Sequence, residues 1–337
     1  MAIPIKKATY REVRHKRMKD WKEQLKPRSK YTLSQNEQPQ ALQNIFLTAP
    51  CDWGVMRNGG KNGARFAPDI LLNLFKKMAK HQDNSQWSTH QVVKKDLAAH
   101  DFSGAQDYSY QKIKSILSPL PSSSNEQSPV NIFHLAAGHD HIYPLAKAVL
   151  EIYAKAIILN IDAHLDTRVD ELPHSGTPFR QLHNEFNLSK NNNENNNETK
   201  LTLAQLGIHK YANTPHNYEE MGDMKILSME DCHKENKLQS WLDQILSHNQ
   251  GPLILSLDCD GIDGPIMPAV SAANHDGLNK TQMKVILESW IQYWNKFNSP
   301  RLFGLYEYNP QFDDLHCTSG RYLSSLIHRI YNTSETL

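Results

Sequence analysis

Acidic and imidazole side chains gather at three places in this chain, each directly after a short apolar run. Ala156-Ile157-Ile158-Leu159 leads through Asn160-Ile161 into Asp162-Ala163-His164-Leu165-Asp166. Pro252-Leu253-Ile254-Leu255-Ser256-Leu257 leads into Asp258-Cys259-Asp260, and a third run from Val130 to Ala137 ends in Gly138-His139-Asp140-His141. Runs of this kind read as buried strands. Side chains alternate along a strand, so Asp162, His164 and Asp166 are expected on one side of an extended segment, as are Asp258 and Asp260. Converging carboxylates at a buried strand end cost free energy unless a cation lies between them.

The donor set is His139, Asp162, His164, Asp166, Asp258 and Asp260. It exceeds what one zinc ion needs, and a carboxylate-rich set with some imidazole suits Mn²⁺. Six ligands, some of them bridging, serve a two-metal centre, and such a pair acidifies water, so the reaction class is hydrolysis. Taken singly, each of these residues is an ordinary helix cap or solvated strand end. The metal reading rests on all of them falling after three strand-like runs.

The elements that must position them read as α/β, with ligands at the C-terminal ends of parallel strands. A chain of 337 residues with 39% hydrophobic content forms one large domain or at most two. Between the first two acid-bearing runs a helix is expected over 143–155. That makes a βαβ unit, with parallel pairing and a right-handed crossover. Further strands are expected over 202–208, 225–228 and 301–307, the last ending in Glu307. Helices are expected from Pro68, with Ile70, Leu71, Leu74, Phe75 and Met78 on one face, and over 241–246, 281–294 and 320–332. Residues 81–95 are polar and read as loop.

The domain is expected over 41–337, after a polar, basic extension at 1–40 whose stretch 11–25 could form a solvated helix. An asparagine-rich, low-complexity surface insertion is expected at 189–200. The formal net charge of +1 gives no electrostatic case for nucleic acid or acidic membranes. No signal-peptide core or membrane-length apolar run stands out. Cys51, Cys232, Cys259 and Cys317 lie far apart, which suits reduced thiols in a cytoplasmic protein. The glycine-rich stretch 51–63 lacks the spacing of a phosphate-binding loop.

Three segments resemble the signatures of the ureohydrolases, the superfamily of arginases, agmatinases and formimidoylglutamases. They are Leu135-Ala136-Ala137-Gly138-His139-Asp140, Asp162-Ala163-His164-Leu165-Asp166, and Ser256-Leu257-Asp258-Cys259-Asp260-Gly261-Ile262-Asp263 running on to Pro268-Ala269-Val270-Ser271. The resemblance implies a single three-layer α/β/α domain with a parallel sheet of about eight strands, arginase- or deacetylase-like. Alanines replace family glycines in the first segment, which leaves His139 or His141 as its ligand. The spacing to Asp162, with Leu135 and Tyr143, favours His139. By resemblance one ion takes His139, Asp162, Asp166 and Asp258, and the other takes Asp162, His164, Asp258 and Asp260, giving two Mn²⁺ per subunit.

Within the superfamily, His174-Ser175-Gly176-Thr177-Pro178-Phe179-Arg180-Gln181 and the stretch 51–71 look like formimidoylglutamases. Arginases and agmatinases carry a histidine where Ser175 stands. Asp263-Gly264 and Ala273-Asn274 depart from the family's Asp-Pro and Ala-Pro. The resemblance implies a metal-dependent hydrolase of linear amidine C–N bonds, acting on N-formimidoyl-L-glutamate in histidine degradation. Asp260 would relay a proton and Glu307 would hydrogen-bond the cationic formimino group. Arg57, Arg65 and Arg180 would receive the substrate carboxylates, with Asn58 and Ser175 adding hydrogen bonds. Two other readings are a guanidino-compound hydrolase of arginase, agmatinase or guanidinobutyrase type, and a non-catalytic binding module. The expected partner is a small amidine or guanidino molecule, with no nucleic acid and no membrane, and with homo-oligomer formation left open.

Overall fold

Eight strands form one sheet in which every neighbouring pair runs parallel: β1 Gln43–Ala49, β2 Gln86–Gln91, β3 Val130–Ala136, β4 Lys155–Ile161, β5 Lys200–Ile208, β6 Lys225–Ser228, β7 Leu253–Asp258 and β8 Arg301–Tyr306. Their order is β2-β1-β3-β8-β7-β4-β5-β6. The computed structural model describes residues 43–79, 86–120, 130–186, 200–219, 221–222, 224–248, 251–294 and 299–332. The expectations for 1–40 and 189–199 lie outside the described residues, and Lys200 already opens β5.

Parallel strands need crossovers, and the helices these supply cover both faces. They are α1 Trp53–Arg57, α2 Ala67–Lys76, α3 Lys95–His100, α4 Phe102–Leu117, α5 Ile142–Tyr153, α6 Pro178–Phe186, α7 Met229–Cys232, α8 Lys237–His248, α9 Lys280–Trp294 and α10 Thr318–Tyr331. Two adjacent rows of side chains show the layering. Phe46, Phe133, Phe303, Leu255 and Leu159 stand in register across five strands and join one buried cluster. Ile45, Ile132, Leu302, Ile254 and Ile158, one residue earlier on each strand, join the other. The period of two thus divides the core between the faces, giving the three-layer α/β/α build.

Two expectations are corrected. Residues 86–91 are not loop but β2, an edge strand beside β1. Its sequence, QWSTHQ, is polar because an edge strand need not be apolar on both faces. The helix α5 does connect β3 to β4, but these strands do not pair, since β8 and β7 lie between them. Among the described residues no helix is long and apolar enough to cross a membrane, and all four cysteines are free.

Candidate metal centre and active site

The four central strands β3, β8, β7 and β4 end side by side, and the residues that follow them build the site. β4 stops at Ile161, so Asp162, His164 and Asp166 sit on the loop beyond it and not on an extended strand. Strand alternation therefore does not align them. Local bonding does: the Asp162 carboxylate accepts the His164 backbone N–H at 2.7 Å. Asp166 takes φ 51°, a left-handed conformation that a non-glycine residue adopts only under constraint. Asp258 closes β7 and accepts the backbone N–H of Asp260 at 3.1 Å within the following turn. Gly261 lets this turn press against the first loop, because a Cβ there would meet the Asp162 backbone nitrogen at 2.9 Å.

His139 opens a single turn after β3. Its Nε2 lies 2.9 Å from Ser256 Oγ, while its Nδ1 faces Asp166, Asp162 and Asp258 at 2.7, 3.2 and 3.2 Å. One proton on Nδ1 could serve only one of these oxygens, and the atom makes no well-formed hydrogen bond among the described residues. Asp260 Oδ1 is likewise buried without a partner. Burial, with repulsion from Asp260 and Asp162, pushes the Asp258 carboxyl well above its usual range. Orphaned buried donor atoms and crowded anions fit a cation, and this set of oxygens and imidazoles fits a metal cofactor. His139, Asp162, Asp166 and Asp258 converge as one group and Asp162, His164 and Asp260 as another. Asp258 belongs to the first group only. His141 is turned away, its Nε2 2.8 Å from the Cys51 carbonyl.

A cavity of about 230 Å³ opens above the cluster. His164, Asp166, Asp258, Asp260 and Glu307 line it, together with Asn58, Arg168 and Ser175. Glu307 follows β8 with φ 63° and accepts the His139 backbone N–H at 3.1 Å. Burial, reinforced by nearby acids, pushes its carboxyl up to about 8.

The expected arginines are placed elsewhere. Arg57 lies over the Phe102 ring at 4.5 Å, and Arg65 pairs with Asp52 at 3.4 Å. Arg180 is buried, donating to the carbonyls of Thr167 at 3.1 Å and His216 at 3.2 Å. Among the described residues the arginine that lines the cavity is Arg168, which sequence reasoning missed. Its signal was its position, two residues past Asp166 on a ligand-bearing loop. Arg168 donates to Asn58 Oδ1 at 2.6 Å, and Asn58 Nδ2 donates to Ser175 Oγ at 3.1 Å. His174 is held between Asp170, at 2.8 Å, and the Gly176 N–H, at 3.0 Å.

A parallel α/β/α sheet that gathers buried acids and imidazoles at its C-terminal edge, under an open cavity, defines a metal-dependent hydrolase. More narrowly, the chain belongs to the arginase family, which it matches over residues 43–330, and so to the hydrolases of linear amidine C–N bonds. It is similar to the formimidoylglutamase of Enterobacter, 28% identical over 264 residues that cover 78% of this chain and 77% of that one. Its fold is similar to that of the Bacillus subtilis formimidoylglutamase, with a TM-score of 0.69 at 17% identity, covering 95% and 99% of the two chains. A Trypanosoma cruzi formiminoglutamase variant crystallised with Mn²⁺ is similar at a TM-score of 0.67 and 19% identity, covering 90% and 96%.

Proposed function

We propose that this chain hydrolyses N-formimidoyl-L-glutamate to L-glutamate and formamide in the cytoplasm, using two Mn²⁺ ions. The observation that carries the reading is the make-up of the cavity lining: the acids Asp166, Asp258, Asp260 and Glu307 share it with one arginine, Arg168. That arrangement complements a small molecule that is cationic at an amidine end and anionic at the other. The curated relatives named formimidoylglutamase support the same substrate.

His139, Asp162, Asp166 and Asp258 would hold one ion, and Asp162, His164 and Asp260 the other. Bound there, the ions supply the acidification of water that makes a nucleophile available near neutral pH. Glu307 accepts a hydrogen bond from the amidinium and turns its carbon toward the ligand cluster. The water oxygen bonds to that carbon, the bond to the glutamate nitrogen breaks, and a proton passes to that nitrogen. Asp260, whose Oδ1 has no other partner among the described residues, carries the proton. Arg168, steadied by Asn58 and Ser175, receives a substrate carboxylate. A guanidino hydrolase of the arginase type would place an imidazole where Ser175 lines the cavity, and His174 is engaged with Asp170 instead.

The test is release of formamide and glutamate by Mn²⁺-loaded protein, beside Asp162→Ala and a panel of guanidino compounds. Turnover that needs the metal and vanishes in the variant supports the reading. Urea release from a guanidino compound, with silence on the formimino substrate, overturns it.

A further inference from the structure

Beneath His139, on one face of the sheet, three residues stand in register across the central strands. They are His134 on β3, Gly304 on β8 and Ser256 on β7. Ser256 touches the His139 imidazole, as described above. Gly304 leaves an empty place in this row, and Tyr306, two residues on and so on the same face, folds back to fill it. A Cβ on Gly304 would lie 2.2 Å from the Tyr306 hydroxyl oxygen. The Tyr306 ring lies against the His139 ring, with centroids 4.8 Å apart and planes at 32°. Its hydroxyl reaches across to His134 Nδ1 at 3.0 Å.

Both residues are buried, and His134 Nε2 has no partner among the described residues. A buried imidazole in the middle of an apolar strand is a costly group. Its one polar contact here is with Tyr306, and neither residue lines the cavity. A ligand imidazole needs two constraints. One is a bond on the nitrogen away from the metal, which Ser256 provides. The other is a surface that fixes the plane of the ring, because Nδ1 must present its lone pair to the ion at the correct tilt.

We infer that Tyr306, anchored by His134 across the gap at Gly304, is a positioning residue for the His139 imidazole. The pair sets how tightly the ion beside His139 is held. The inference rests on the reading of His139 as a metal ligand.

The experiment is a Mn²⁺ titration of the full chain, following free Mn²⁺ by electron paramagnetic resonance, with the melting temperature of the metal-free protein beside it. Tyr306→Phe keeps the ring and deletes only the hydroxyl, and His134→Leu removes the anchor. Each weakens one of the two Mn²⁺ sites about 10- to 100-fold and leaves the other near native. Because the residues act in series, the double variant is no weaker than the worse single one. His134→Gln, which can still meet the hydroxyl, recovers most of the lost affinity. Native affinity at both sites in Tyr306→Phe overturns the inference, even if the melting temperature falls, since that is a purely structural role. Should His134→Leu not fold, Tyr306→Phe alone decides. A native chain that binds no Mn²⁺ overturns the metal reading itself and the inference with it, so the native control separates the two failures.

Discussion

The carboxylate of Glu307 accepts the backbone N–H of His139 at 3.1 Å, although 168 residues separate them in sequence. This bond ties the end of β8 to the end of β3, and Glu307 also lines the cavity. Burial holds the free Glu307 carboxyl up at about 8, and a bound amidinium would draw it back to the charged form; Glu307→Gln keeps the acceptor for His139 and can never take on that charge. The expected result is a fall in kcat/KM of order 10- to 100-fold, from the loss of a charge-assisted hydrogen bond of about 1.5–3 kcal/mol. Steady-state kinetics with little change in melting temperature would bear this out.

Chelation should destabilise the protein, because the crowded acids lose their cation. Mn²⁺ at 100 times its Kd is expected to raise stability by about 2.7 kcal/mol. Asp258→Asn should narrow this difference from both sides. It removes an anion whose ionised form is opposed by burial and by Asp260 and Asp162, so the metal-free variant melts above metal-free native protein. It also deletes a ligand, so added Mn²⁺ raises its melting temperature less. Thermal denaturation with and without EDTA measures both effects.

Arg168 donates a side-chain hydrogen bond to Asn58 and lines the cavity. Arg168→Ala is expected to raise KM for the formimino substrate about tenfold or more while leaving Mn²⁺ affinity unchanged. Arg168→Lys should recover only part of the loss, since an ammonium cannot reproduce a planar fork. Arg57→Ala, by contrast, should cost packing on Phe102 and leave KM near native.

His134 gives a pH dependence of defined sign. Burial, with His141 nearby, pulls its pKa from 6.5 down to about 3. Below pH 6.5 the unfolded chain takes up a proton that the folded imidazole refuses. The stability of native protein relative to His134→Leu is therefore constant above that pH and falls as pH drops toward 3. The expected slope approaches about 1.4 kcal/mol per pH unit. Urea denaturation of both proteins, metal-free, across that range checks it.

The cluster was legible in the sequence because buried strands announce themselves as apolar runs and acids directly after them have few structural uses. Their alignment was not legible as written. Asp162, His164 and Asp166 are drawn into the cluster through a loop bond and a left-handed residue, features that alternation does not predict. The placement of the arginines was hidden for a related reason. Spacing places Arg57 near the site, but its direction is set by Phe102 on α4, an element outside the motifs. Pairing was hardest of all: nothing local in β3 or β4 shows that a strand from residues 301–306 will enter between them and its neighbour.

That late strand bears on how the protein is made. All the candidate ligands have been synthesised once the chain reaches Asp260, yet β3 and β7 cannot meet until β8 arrives to bridge them. The acids after β4 and β7 can gather earlier, because those two strands pair directly. His139 alone is kept apart from them until residues 301–306 are made and fill the gap in mid-sheet. The imidazole that completes the first ligand group is therefore the last to be placed.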